Sequence, residues 1–177
     1  MSIHNQVLVW DLWVRLFHGL LAAGVIGLLI LEESNMVVHV VVGYGLLGLL
    51  LFRVIWGWIG PEHARFRDFV RPLGAVLAYL QAVRTGEAPR HLGHNPAGGL
   101  MVVVLMVTLF GTMMSGILAL AAPPDSWYES AHELLAGLMP ILVVLHLGGV
   151  VFTSFHQREN LVKSMITGYK DRTEERA

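Results

Sequence analysis

The 177-residue sequence contains no cysteine and few charged residues. Without cysteine, the chain cannot form disulfide bonds, cysteine-ligated iron–sulfur clusters or a covalently attached haem. Only 14% of the residues are charged and 55% are hydrophobic, whereas soluble domains carry roughly 25% charged residues. The hydrophobic residues lie in long blocks, so the sequence indicates an integral membrane protein.

Four segments are long enough to cross about 30 Å of hydrocarbon as α-helices. They cover residues 13–31, 36–59, 96–122 and 128–155. Asn95 followed by Pro96 is typical of a helix start, and Pro140 within the fourth segment predicts a bend. We therefore expect an all-α protein, an integral membrane four-helix bundle in which residues 1–177 form a single domain.

The connections between these segments are unequal in length. Two of them are short, whereas residues 60–95 form a long polar connection between the second and third segments. Within it, residues 72–83 are predicted to form a short amphipathic helix, with Leu73, Val76, Leu77 and Leu80 on one side. About twelve residues are too few to span a bilayer, so we expect this helix to lie on the membrane surface.

Positive charge falls on one side of this four-helix arrangement. The Lys and Arg residues lie near two helix ends, in the long connection and in the C-terminal tail: Arg15, Arg53, Arg65, Arg67, Arg71, Arg84, Arg90, Arg158, Lys163, Lys170, Arg172 and Arg176. The short connections and the residues just after them hold only acidic charges: Glu32, Glu33, Asp125, Glu129 and Glu133. The positive-inside rule predicts that both termini and residues 60–95 face the cytoplasm.

Histidines are the most informative residues inside the apolar segments. His132 and His146 lie on the fourth segment, and fourteen residues of helix separate them by about 21 Å along its axis. At about 100° per residue, the two side chains lie within about 40° of one face. His18 on the first segment and His39 on the second lie at matching depths. Ionisable groups within a membrane segment are costly and commonly functional.

Depth predicts how these histidines pair. His18 and His146 lie in the cytoplasmic half of the bundle, and His39 and His132 lie in the outer half. A single membrane histidine can instead be a hydrogen-bonded core residue or part of a proton relay. The four histidines form two pairs, and the two members of each pair lie at one depth on different helices. The sequence therefore favours two haems, each with two histidine ligands. His156 lies on a different face from His146 and is not chosen as a ligand.

Other residues near these histidines have two interpretations each. Arg15 and Arg53 could bind haem propionates, or they could extend towards the cytoplasmic interface as ordinary positive-inside residues. Glycines near the histidines could admit a flat macrocycle or serve helix packing: Gly19, Gly24, Gly43, Gly148 and Gly149. Three methionines on the third segment are expected to fill gaps: Met106, Met113 and Met114. The histidines of polar segments are expected to be solvated: His4, His63, His91 and His94.

Several stretches together resemble the bacterial diheme cytochromes b, which include the cytochrome b561 proteins and the cytochrome b subunits of nickel-iron hydrogenases. They are VWDLWVRLFHG, HVVVGYGLLGLLLFRVIWGWIGP, GHNPAGGLM and HQRENLVKSMITGYK, and they extend over nearly the whole chain. The resemblance implies a four-helix membrane bundle, two non-covalent b haems and electron exchange with quinone. The ligand positions of that family fall on His18, His39, His132 and His146.

We therefore expect a protein of the bacterial inner membrane that transfers electrons between quinone and a redox partner on the outer, periplasmic face. That partner would be a cytochrome c, a hydrogenase or a small oxidant; a homodimer is left open, and no nucleic acid is expected. Alternatives are a membrane-anchor subunit of a larger oxidoreductase, a non-redox helical scaffold, or a histidine-based transporter. The transporter would want carboxylates in the helix cores, and those cores contain none.

Overall fold

The computed structural model describes residues 6–31 and 35–172, and four of its helices are long and apolar enough to cross a membrane. These are α1 (Leu12–Leu31), α2 (Met36–Ile59), α5 (Pro96–Ala121) and α6 (Trp127–His156). The long connection contains a 3-10 turn (Glu62–Ala64), α3 (Phe66–Phe69) and α4 (Leu73–Thr85). After α6 come α7 (Leu161–Thr167) and strand β2 (Tyr169–Asp171), which pairs with strand β1 (Gln6–Leu8). The expected all-α membrane bundle is confirmed, with each span within one residue of its predicted bounds.

Side-chain caps explain where three of the spans begin. Asp11 accepts hydrogen bonds from the backbone N–H groups of Trp13 and Val14 at 2.9 and 3.2 Å. Asn35 caps α2, and Asn95 caps α5 by accepting from Gly98 N at 2.7 Å. The α6 helix continues through Pro140 without a break. Glu32 and Glu33, the acids of the first short connection, lie outside the described residues.

The spans pack in a chain rather than equally on all sides. The pair α5–α6 has the most extensive contact, followed by α1–α2, and α2 also packs on α5. A small buried cluster holds the middle of the bundle together: Leu46, Leu50, Leu109, Met113 and Met139. By contrast, α6 has few close backbone contacts with α1 or α2 among the described residues. The bundle therefore leaves space between α6 and the α1–α2 pair, which is where the histidines lie.

The predicted surface helix is present as α4, displaced slightly from residues 72–83. Val76 and Tyr79 are buried, and α4 packs against α5. Leu73, Leu77 and Leu80 remain exposed. Val76 was expected to lie with these leucines, but its side chain turns towards the protein because it lies on the flank of the stripe.

A two-stranded antiparallel sheet joins the two ends of the described chain, and the sequence analysis did not predict it. Val7 is the register partner of Lys170, and the backbone N–H groups of Val9 and Trp10 donate to Gly168 O at 2.9 and 3.1 Å. Gly168 adopts φ 89°, and an added Cβ would lie 2.7 Å from Trp10 O, so the turn requires glycine. The sheet therefore holds both ends on the same side of the bundle.

Candidate haem sites

The structure brings the four membrane histidines together as two separate pairs. The ring centroids of His18 on α1 and His146 on α6 are 6.3 Å apart. Those of His39 on α2 and His132 on α6 are 6.0 Å apart. Each pair therefore joins α6 to a different helix, at the depths from which the sequence analysis predicted the pairing.

The separation within each pair suits two ligands of one metal ion. Imidazole nitrogens bind metals at about 2 Å, so two rings on opposite sides of one ion have centroids roughly 6 Å apart. Within the described residues, no three or more His, Cys, Asp or Glu side chains form a group that could hold a metal ion. A bis-histidine haem takes two ligands from the protein, whereas a structural zinc ion takes four.

His39 and His132, called the outer pair after the side expected from the sequence, open into a cavity of about 570 Å³ between α1, α2, α5 and α6. That volume lies within the range of protein sites for organic cofactors. Most of its lining is apolar, including Val25, Leu46 and Met113, while Glu129 and Glu133 lie at its outer end. The cavity thus offers a largely apolar space beside His39 and His132.

A backbone hydrogen bond fixes the orientation of the His132 ring. Its Nδ1 lies 2.7 Å from Thr112 O on α5. Because a carbonyl can only accept, Nδ1 carries the proton and Nε2 is the nitrogen with a lone pair that a metal could bind. Metal-ligating histidines commonly donate their other ring N–H to a carbonyl or carboxylate in this way. Sequence reasoning missed this contact because a backbone carbonyl has no residue signature.

The glycines near the histidines differ in what surrounds them. Gly116 on α5 lies against His132, since an added Cβ would be 2.9 Å from ring atoms Cε1 and Nδ1. Gly24 packs on the Leu46 side chain, as expected of a helix-packing glycine. An added Cβ would meet nothing within 4 Å at the remaining expected positions: Gly19, Gly43, Gly148 and Gly149. Gly43 lines the outer cavity, where its lack of a side chain preserves the open space.

Arg53 lies buried near the C-terminal end of α2. Its side chain is only 3% exposed, and its guanidinium lies 5.2 Å from the Phe66 ring centroid and 5.7 Å from that of Phe69. Its Nη1 atom is buried and has no hydrogen-bond partner among the described residues. A buried cation with an unsatisfied donor suits an anionic ligand group such as a haem propionate. The alternative, an arginine extended to the interface, does not fit this burial.

Arg15 lies one turn before His18 and bonds to the C-terminal segment. Its Nη2 donates to Ile166 O of α7, and its Nε is buried with no hydrogen-bond partner among the residues described. The Nη2 atom of Arg15 therefore holds α7 beside α1 through this hydrogen bond. The buried Nε offers a second position for an anion, at the end of the bundle where β1 and β2 pair.

The expectation that His94 is solvated was wrong. Its ring lies 4.7 Å from that of Trp10 and 4.9 Å from that of Phe69, and its Nδ1 is buried with no hydrogen-bond partner in the described chain. Burial, with smaller contributions from nearby positive charges led by Arg53, lowers the pKa of His94 to about 3. The imidazole is therefore neutral at physiological pH. The position of His94 just before the Asn95–Pro96 helix start places it against the bundle, a signal the sequence analysis did not use.

The other polar-segment histidines are also engaged. His63 Nδ1 lies 3.1 Å from a carboxylate oxygen of Asp68, and the His91 ring lies 5.6 Å from that of Tyr79. Burial and nearby positive charges lower the pKa of His91. His156 is exposed and stacks on Phe152 at the C-terminal end of α6. His4 lies outside the described residues.

Four apolar helices with facing histidines characterise a membrane cytochrome of the b type. A family model described as prokaryotic cytochrome b561 matches residues 9–168, so the chain belongs to that family. Membership implies b-type haem binding and electron transfer in the membrane. Neither the curated proteins nor the solved structures that were compared gave a match.

Proposed function

We propose that the protein binds two non-covalent b haems, one at each histidine pair, and conducts electrons across the membrane. The two ring separations of 6.3 and 6.0 Å, at two depths of one bundle, are the observation that carries this proposal. A bound haem supplies one-electron chemistry. The ligands would be His18 with His146 for the inner haem, and His39 with His132 for the outer one.

The surrounding residues have distinct roles in this proposal. The Thr112 carbonyl orients His132, and the apolar cavity wall excludes water from the outer site. The buried donors of Arg53 and Arg15 favour the negatively charged propionates of the inner haem. The inner site thus carries positive charge that the outer site lacks, which would raise its potential relative to an equal site without arginines.

Electron transfer across the membrane follows from the spacing of the pairs. His132 and His146 are fourteen residues apart on one helix, so the two sites lie roughly 20 Å apart along the bundle axis. We propose that one site exchanges electrons with quinone and the other with a redox partner on the outer face. The protein would lie in the bacterial inner membrane with both termini in the cytoplasm, as the distribution of Lys and Arg predicts.

Haem stoichiometry tests the number of sites. A pyridine haemochrome assay on the purified protein should give two b haems per chain, and acid-acetone should extract both. Both results follow from two histidine pairs and the absence of cysteine. One haem per chain, or haem left on the polypeptide after extraction, would contradict the proposal.

Topology is tested by reporter fusions. Fusions after Ala177 and within residues 85–92 should report the cytoplasm, and a fusion beside Asp125 should report the outside. Because β1 and β2 pair, the two ends of the described chain lie on one side of the membrane. The side that one terminal fusion reports therefore applies to both ends. An outer C-terminus would reverse the labels of the two sites without changing the histidine pairs.

The quinone step needs a separate test. The haems should be reduced by quinol faster in native membranes than in membranes from which quinone has been extracted. Adding quinone back to the extracted membranes should restore the rate. If the haems are indifferent to quinone but still carry electrons between soluble reagents on opposite faces, the conduit survives and the quinone assignment fails. If haem reduction instead requires a co-purifying soluble subunit, the anchor-subunit alternative is favoured.

A further inference from the structure

The α4 helix presents an apolar stripe that the bundle does not cover. Leu73 and Leu77 are each 67% exposed and Leu80 is 48% exposed. At about 100° per residue, these three positions lie within about 60° of one another, and Arg84 falls on the same stripe. Val76, on the neighbouring flank, is buried. The exposed stripe thus continues directly from the face with which α4 packs on the bundle.

Arginines gather at the N-terminal end of this stripe. An open cavity of about 600 Å³ is lined by Arg65, Arg67 and Arg71, together with the acids Glu62 and Asp68. Asp68 is occupied by His63, and the Arg65 and Arg71 side chains bond to the backbone oxygens Gly60 O and Asp68 O. In the part of the chain that the structure describes, none of the three guanidinium groups pairs with a carboxylate. Their positive charge therefore remains available to an anion.

We propose that the surface formed by residues 65–84 is a binding site for anionic phospholipid. The arginine cavity would take the phosphate-bearing headgroup, and the leucine stripe of α4 would enter the adjoining acyl region. An interfacial helix binds through buried apolar area together with attraction of its basic residues to anionic lipid. The stripe ends in Arg84, so cationic side chains stand at both ends of the apolar face, about 20 Å apart for a thirteen-residue helix.

The excess of positive charge in the cavity lining favours an anionic lipid over a neutral one. The cavity lining has three arginines against two acids, and one of those acids already has a histidine partner. Arg67 is exposed and its side chain makes no hydrogen bond or ion pair within the described residues, so its charge is available to a lipid phosphate. A neutral phospholipid would gain the apolar contact but little from the arginines, since its own cation offsets its phosphate.

The test compares lipid binding by the haem-loaded full-length protein. Native mass spectrometry or a fluorescence titration in detergent would measure affinity for dioleoylphosphatidylglycerol and for dioleoylphosphatidylcholine. The wild type should prefer the anionic lipid. The double variant Arg67→Gln/Arg71→Gln should lose roughly 30-fold in affinity for it, since each basic residue near an anionic surface contributes about fivefold. Arg67→Gln alone breaks no observed contact and should lose about fivefold, even if the double variant proves unstable.

Matched controls separate the site from net charge. Arg158→Gln/Arg172→Gln removes the same charge from exposed residues of the same side, and it should leave the lipid preference unchanged. Equal losses in the two double variants would overturn the site, as would equal affinity of the wild type for both lipids. Displacement of the lipid by inorganic phosphate would show a phosphate-ion site instead. A dimer of the chain that Leu77→Gln dissociates would show that a second copy covers the stripe.

Discussion

Replacing Gly116 by alanine would test whether the position of His132 is needed for haem binding. The new Cβ would lie 2.9 Å from Cε1 and Nδ1 of the His132 ring, whereas ordinary contacts begin near 3.4 Å. The ring must therefore retreat from α5 by about half an ångström. Thr112 lies one turn before Gly116 on the same helix, so this movement also lengthens the bond between Nδ1 and Thr112 O.

The expected effect follows from that bond. If the His132 ring moves by this amount, the distance between Nδ1 and Thr112 O grows from 2.7 Å to about 3.2 Å. That distance is the upper limit of a good N–H···O hydrogen bond. Losing the partner that orients a ligating histidine costs about 10- to 100-fold in metal affinity, so a weakened bond should cost up to that amount. We therefore expect the Gly116→Ala protein to lose its outer haem during purification and to keep the inner one. Haem per chain would fall from two towards one.

The assay is a redox titration of the haem absorbance combined with haem content. Gly137→Ala is the matched control, because it adds a methyl group to the helix that carries His132 at a position where a Cβ meets nothing within 4 Å. That protein should keep both haems. Full haem content and an unchanged redox curve in Gly116→Ala would refute the reasoning, as would equal losses in both variants.

Three further predictions follow from the same structure. His39→Ala and His132→Ala should abolish the same redox component, because their rings form one pair, whereas His18→Ala should abolish the other. Arg53→Gln should lower the potential of the inner haem by on the order of 50 mV in a redox titration, because a buried positive charge favours the reduced form. The pKa of His94 is about 3 in the folded protein, against an ordinary value of 6.5 in the unfolded chain. Stability that is present above pH 6.5 is therefore lost as the pH falls from 6.5 towards 3. Thermal unfolding should show about 2 kcal/mol lower stability at pH 5 than at pH 7.

Two of these predictions have a control variant. Arg158→Gln removes an exposed charge near the same side and should leave both potentials almost unchanged. His94→Asn removes the titrating group, so the difference in pH dependence between it and the wild type isolates the contribution of His94. The pairing argument fails if His39→Ala matches His146→Ala in the redox titration.

The spans and the histidine pairs could be predicted because both depend on regular helix geometry. An apolar run of sufficient length must form a helix in lipid, where every backbone polar group needs an internal partner. Constant rise per residue then converts sequence position into depth, and depth was enough to match His18 with His146 and His39 with His132. The cap Asn95 marked a helix start through side-chain chemistry that is visible in the sequence, whereas the cap Asn35 was not predicted.

The contacts that surround the pairs could not be predicted in the same way. Strands β1 and β2 are three residues each, too short for an alternating pattern, and their pairing joins residues more than 160 positions apart. The partner of His132 is a main-chain oxygen of Thr112, and any residue type supplies one. His94 stands in a polar sequence but is enclosed by Trp10 and Phe69, because the folded connection returns against the bundle.

The fact that α6 supplies one histidine to each pair has a consequence for how the protein is assembled. Helices α1, α2 and α5 enter the membrane first during synthesis, and they carry only His18 and His39, which belong to different pairs. Neither pair exists until the last span has been inserted and has reached the gap beside α1 and α2. With the proposed ligands, cofactor loading therefore follows insertion of α6, and a chain shortened before α6 should be colourless.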